Sequence, residues 1–167
     1  MITMKTHIQD ALNALVGKPL WSSGRSAGLQ WFSFGERQSV TGVRGNVKEV
    51  GEYALHIQCA WRIIRHDEVI VASGDVYAEP RKKPSRELHL KFTLLDERVQ
   101  ELFQGEARRF AVEKVEAADA GAFCISFSDG YALNVMPDDS SDDEHWRLFK
   151  PYTEGPHFVV TGVGLDT

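Results

Sequence analysis

Between Tyr53 and Ile63 the chain alternates without a break. Tyr53, Leu55, Ile57, Cys59, Trp61 and Ile63 fall on one side, and Ala54, His56, Gln58, Ala60 and Arg62 on the other. A period of two places these sets on opposite faces of a strand, one against a core and the other toward water. The segment commits the chain to a sheet with a polar outer face carrying His56, Gln58 and Arg62.

The neighbouring segments extend the sheet. Arg65 to Glu68 form a polar tip before Val69–Ala72, which predicts an antiparallel hairpin. Residues 20–34 read as two strands around Ser-Gly-Arg-Ser-Ala-Gly, and Gly42, Gly45 and Gly51 punctuate the stretch from there to Tyr53. Three extended runs, 108–115, 122–127 and 131–135, are separated by Asp119-Ala120-Gly121 and Ser128-Asp129-Gly130, the pattern of a meander. Phe123, Ile125, Phe127, Tyr131, Leu133 and Val135 share its apolar face, with Cys124, Ser126 and Asn134 opposite. Residues 146–149 and 157–163 supply two final strands, the second apolar enough to lie inside the sheet.

Two helices complete the pattern. Thr6 and Gln9 have capping-box spacing, and Ile8, Ala11, Leu12, Leu15 and Val16 recur at helical intervals before Gly17. From Thr93, Leu95, Val99, Leu102 and Phe103 share a face that ends at Gly105. Residues 79–91, with two prolines and the basic set Arg81, Lys82, Lys83, Arg86 and Lys91, read as a long loop. About eight strands and two helices with no strand-helix repeat predict an α+β fold. Its sheet would be mainly antiparallel, with room to curl into a partial barrel. At 167 residues and 43% hydrophobic, residues 1–167 are expected to form a single domain with its own core.

A net charge of −5 disfavours a general nucleic-acid binder, which concentrates Lys and Arg against phosphates. No apolar run is long enough to span a membrane, and the first 18 residues lack the layout of a signal peptide. The expectation is a soluble cytoplasmic protein. Cys59 and Cys124 lack metal-ligand and redox spacing, and Cys59 on its apolar face reads as a core residue.

No motif for catalysis or for a cofactor emerges. The acidic run Asp138-Asp139-Ser140-Ser141-Asp142-Asp143-Glu144 offers oxygen ligands at Asp138, Ser140 and Asp142. An EF-hand count from Asp138 nevertheless meets Asp143 where Gly belongs and Phe149 where Glu belongs. No metal site is expected, and the run reads as a solvated loop or partner surface. The histidines show no His-Glu-x-x-His pattern, although His56, His145 and His157 have strand positions that can converge. Gly-x-Ser-x-Gly does not occur, so Ser22, Ser23 and Ser26 read as turn residues; their segment, with Gly24 and Arg25, is an alternative seat for a phosphate or carboxylate on backbone N–H groups, although no dinucleotide or Walker-type glycine loop occurs.

With Tyr53-Ala-Leu-His-Ile-Gln-Cys-Ala-Trp-Arg62, Trp-Ser-Ser-Gly-Arg-Ser upstream, and Glu144-His-Trp-Arg147 and His157-Phe-Val-Val-Thr-Gly162 downstream, the chain resembles a family of small uncharacterised bacterial proteins. More loosely it resembles bacterial toxin-immunity proteins, which are small, acidic α+β domains that act by binding. That resemblance implies a non-enzymatic protein-binding domain and assigns no catalytic residue. On this reading Asp138, Asp139, Asp142, Asp143 and Glu144 meet a basic protein partner, steered by complementary charge. The alternative is a small-molecule site or enzyme cleft on the sheet face, with Arg62 anchoring an anion, His56 exchanging a proton and Gln58 beside them. A homodimer through a sheet edge is a third organisation, for which the sequence offers no specific interface.

Overall fold

The alternation of residues 53–63 persists in the computed structural model, which describes residues 2–82, 92–104 and 110–166. Leu55, Ile57, Cys59, Trp61 and Ile63 are all buried. The segment is nevertheless two strands, β5 (Tyr53–Ile57) and β6 (Ala60–Arg65). At the break, Gln58 N–H donates to the His145 carbonyl at 2.8 Å, and Ala60 N–H donates to the Asp138 carboxylate at 3.4 Å. Side-chain alternation does not register this corner, because only the hydrogen-bond partners change.

The remaining strands are β1 (Pro19–Ser26), β2 (Leu29–Phe34), β3 (Gln38–Thr41), β4 (Val47–Val50), β7 (Glu68–Ala72), β8 (Phe110–Ala117), β9 (Phe123–Phe127), β10 (Tyr131–Met136), β11 (Glu144–Phe149), β12 (Phe158–Thr161) and β13 (Gly164–Asp166). Eleven of the thirteen described strands, β5 and β6 among them, form one antiparallel sheet, ordered β13-β12-β11-β5-β2-β1-β8-β9-β10-β6-β7, and β3 and β4 form a separate ribbon. The expectation of about eight strands was too low. The ribbon is mostly exposed and β13 has only three residues, so neither carries an apolar run, and the corner at residues 58–59 adds one more.

Among the described residues the sheet does not close, since β13 and β7 are its ends. Its two parts join, among those residues, where Pro19 pairs with Ala111 and Leu20 with Phe110. From that seam the sheet folds over and its inner faces meet. Phe32 on β2 packs edge-on to Trp61 on β6 at 5.2 Å, and Phe123 on β9 packs on Trp146 of β11 at 4.7 Å. Such aromatic pairs contribute about 0.5–1.5 kcal/mol each beyond the area they bury.

Helix α1 (Met4–Leu12) buries Ile8 and Leu12 against β8 and the 119–121 turn. Its cap is Thr3, whose side chain accepts from Thr6 N–H, and not the expected Thr6. Gln9 is engaged elsewhere: its amide donates to the Val115 carbonyl and accepts from Ala117 N–H, both within 2.9 Å. Helix α2 (Leu94–Leu102) begins just after Thr93, near the expected start, with the Asp96 carboxylate accepting from Thr93 N–H at 2.9 Å. It lays Leu95, Val99 and Leu102 into the core beside β7 and β1. No helix among the described residues is long and apolar enough to cross a membrane. The stop expected at Gly105, the strand start at Arg108, and Lys83, Arg86, His89 and Lys91 of the basic segment lie outside the described residues.

Candidate functional site

The acidic loop joins β10 to β11, and its carboxylates divide into two groups. Asp139, exposed at the surface, is engaged within the loop: one oxygen accepts from Ser141 N–H at 3.0 Å, Ser141 hydroxyl at 2.7 Å and His145 Nε2 at 3.0 Å. These bonds, the one from His145 foremost, hold its carboxyl down at about 2. His145 is itself buried because a bulge between Glu144 and Trp146 sends two successive side chains inward. Its Nδ1 is buried with no hydrogen-bond partner among the described residues. On the other side of the loop, Gly162 leaves space that a Cβ would take from the Ser141 carbonyl. Asp138, Asp142 and Asp143 line the outer side of the loop, and all three are exposed.

Asp138 also lines a cleft of about 330 Å³ at the end of the sheet, formed by the β1–β2 turn, the 58–60 corner, the 73–77 turn and the start of α2. Trp61 and Cys59 form part of its wall, and the exposed Tyr77 stands at its rim. Burial pushes the Cys59 thiol up to about 12, so it stays protonated and a poor nucleophile. Arg25 reaches the cleft but is held by Asp96 through a two-point pair, Nε to Oδ1 at 2.9 Å and Nη2 to Oδ2 at 2.8 Å. Burial pushes the Asp96 carboxyl up, but its bonds to Arg25 and Thr93 prevail and hold it below the usual range.

The polar sheet face does not gather His56, Gln58 and Arg62 in one place. Arg62 lies on β6 and donates to Asn134 of β10 at 3.0 Å, far along the strand order from β5. Gln58 borders the cleft and donates to Glu144 at 3.3 Å. His56 faces outward in register with Trp31 of β2 and Arg147 of β11. It packs edge-on to Phe149 at 4.8 Å, and His157 stacks on the same ring at 4.3 Å. Of the three histidines expected to converge, His56 and His157 do so and His145 is drawn inside.

Glu144, counted from sequence among the partner-facing carboxylates, forms an ion pair with Arg147, whose Nε lies 3.0 and 2.9 Å from its two oxygens. The Arg147 bond holds the Glu144 carboxyl below the usual range. Arg147 Nη1 also donates to His157 Nδ1 at 2.8 Å. Burial, and then the Arg147 charge, lower the His56 pKa. Sequence reasoning passed over Arg147, Tyr77 and Trp31. Alternation around Trp146 and Leu148 points Arg147 outward, but it sets Glu144 on the opposite face, so their pairing depends on the bulge between Glu144 and Trp146.

Among the described residues, no group of three or more His, Cys, Asp or Glu side chains is placed to hold a metal ion. No family model, curated protein or solved structure matches the chain.

Proposed function

We propose that this chain is a non-enzymatic binding domain that receives a basic protein partner on the acidic loop and in the cleft at its foot. The observation that carries the reading is the division of labour within the loop. Asp139 is engaged by His145 and Ser141, which fixes the loop, while Asp138, Asp142 and Asp143 face outward and Asp138 borders the cleft. A carboxylate surface already held in place loses little conformational freedom on binding. Its charge draws a cationic partner and orients it, and the 330 Å³ cleft is large enough for an inserted Arg or Lys side chain. An immunity-type role, in which a toxin is blocked by occupation, is the biological form this reading takes.

The test is affinity capture from the native lysate with the wild-type chain and with Asp138→Asn/Asp142→Asn/Asp143→Asn, at low and high salt. A basic protein held by the wild type at low salt, released by salt and not held by the triple variant supports the reading. A partner retained equally by both proteins places the contact elsewhere and rejects it.

A further inference from the structure

A second cavity lies on the outer face of the sheet and shares no lining residue with the cleft. The β3–β4 ribbon folds over β2 and β5 and leaves a groove of about 410 Å³, closed on its far side by Pro151 and Tyr152. Its floor is set by register: Trp31 pairs with His56, Ser33 with Ala54, and Ala54 with Phe149, so one outward face collects three rings and two small residues. The volume and the largely apolar lining suit a small organic molecule.

The local backbone shapes this groove. Gly24 lies beneath the Trp31 indole, and a Cβ there would run into the ring, so the glycine lets the indole lie flat across β1. Gly51 lets the ribbon approach β2, since a Cβ would stand 2.7 Å from the Phe34 carbonyl oxygen. Tyr152 adopts φ 60°, a left-handed conformation unfavourable for an aromatic residue, and keeps its ring exposed at the rim.

The polar groups define the ligand. His56 is half-buried and has no hydrogen-bond partner among the described residues, and its lowered pKa brings it to the groove as a neutral imidazole. Lys48 lines the groove with no ion-pair partner among the described residues, whereas Glu49 beside it is paired with Arg37 at 3.4 Å. Of the two charged side chains that line the groove, Lys48 is thus the one left for an anionic ligand. We propose that the groove binds a small planar aromatic carboxylate, with its ring against Trp31 and Phe149 and its carboxylate at Lys48. This site goes beyond the partner surface and stands or falls separately from it.

The experiment is an NMR titration of the ¹⁵N-labelled full chain with indole-3-carboxylate, and with indole as the uncharged counterpart. The proposal expects saturable shifts at the Trp31 indole N–H and at the amides of residues 48–51, 149, 150 and 152, with the carboxylate binding more tightly than indole. Lys48→Gln, on an exposed ribbon, should weaken carboxylate binding about three- to fivefold and leave indole unchanged. Tyr152→Ala should weaken both. Absence of saturable shifts, shifts centred on Trp61 and Tyr77, or a Lys48→Gln variant that binds the carboxylate as the wild type does would overturn it.

Discussion

The Asp139 carboxylate accepts the Nε2 hydrogen of the buried His145 at 3.0 Å, and this bond ties the acidic loop to the sheet. The Asp139 side chain stays more than half exposed, yet the oxygen that bonds His145 and Ser141 is engaged within the protein. Its bonds to Ser141 then fix where Asp138, Asp142 and Asp143 point.

The Asp139 linkage predicts an acid transition. Its folded-state pKa of about 2 lies below the ordinary 3.8, so its contribution to stability is complete above about pH 4 and is lost as pH falls toward 2. Thermal unfolding followed from pH 5 to 2 should show a steeper loss for the wild type than for Asp139→Asn, which lacks the titrating group. Parallel curves would remove Asp139 from the account of the loop.

Gly162→Ala should destabilise the fold by about 1–3 kcal/mol, because the new Cβ meets backbone at Ser141 that cannot move without shifting the loop. Denaturant unfolding measures this, and an unchanged midpoint would mean that the loop is free to retreat.

Much of the architecture was legible where neighbouring strands are joined by tight turns. The faces of β9 and β10 are as expected, with Phe123, Ile125, Phe127, Tyr131, Leu133 and Val135 buried, because a short Asp-Gly turn fixes their mutual register. The corner at Gln58–Cys59 was not legible, since it preserves side-chain alternation while exchanging strand partners. The inward turn of His145 was hidden for a related reason. A bulge is set by the opposing strand, and simple alternation around Trp146 would have placed His145 outside with Arg147. Arg62 left the company of His56 through the same corner.

The link between α2 and β1 rests on a carboxylate with two duties. Asp96 caps Thr93 and pairs with Arg25 at two points, so Asp96→Asn weakens both and should cost about 1–2 kcal/mol in chemical denaturation. A loss no larger than that of an exposed surface substitution would reduce the pair to incidental contact.

His56 should titrate below the ordinary 6.5, since burial and the Arg147 charge disfavour its imidazolium. Because the unfolded chain protonates first, this group's contribution to stability is complete above the unfolded value and falls as pH drops through it. Arg147→Gln removes the nearby cation and releases Glu144, so the His56 midpoint followed by NMR should move up; a midpoint that stays put contradicts the assigned cause.

The most direct test of the binding reading is the dissociation constant of a captured basic partner, measured for the wild type and for Asp138→Asn/Asp142→Asn/Asp143→Asn across about 0.05–0.5 M salt. The account predicts that wild-type affinity falls steeply with salt, and that the triple variant is weaker at low salt with a shallower dependence. Equal affinities and equal salt slopes would contradict it.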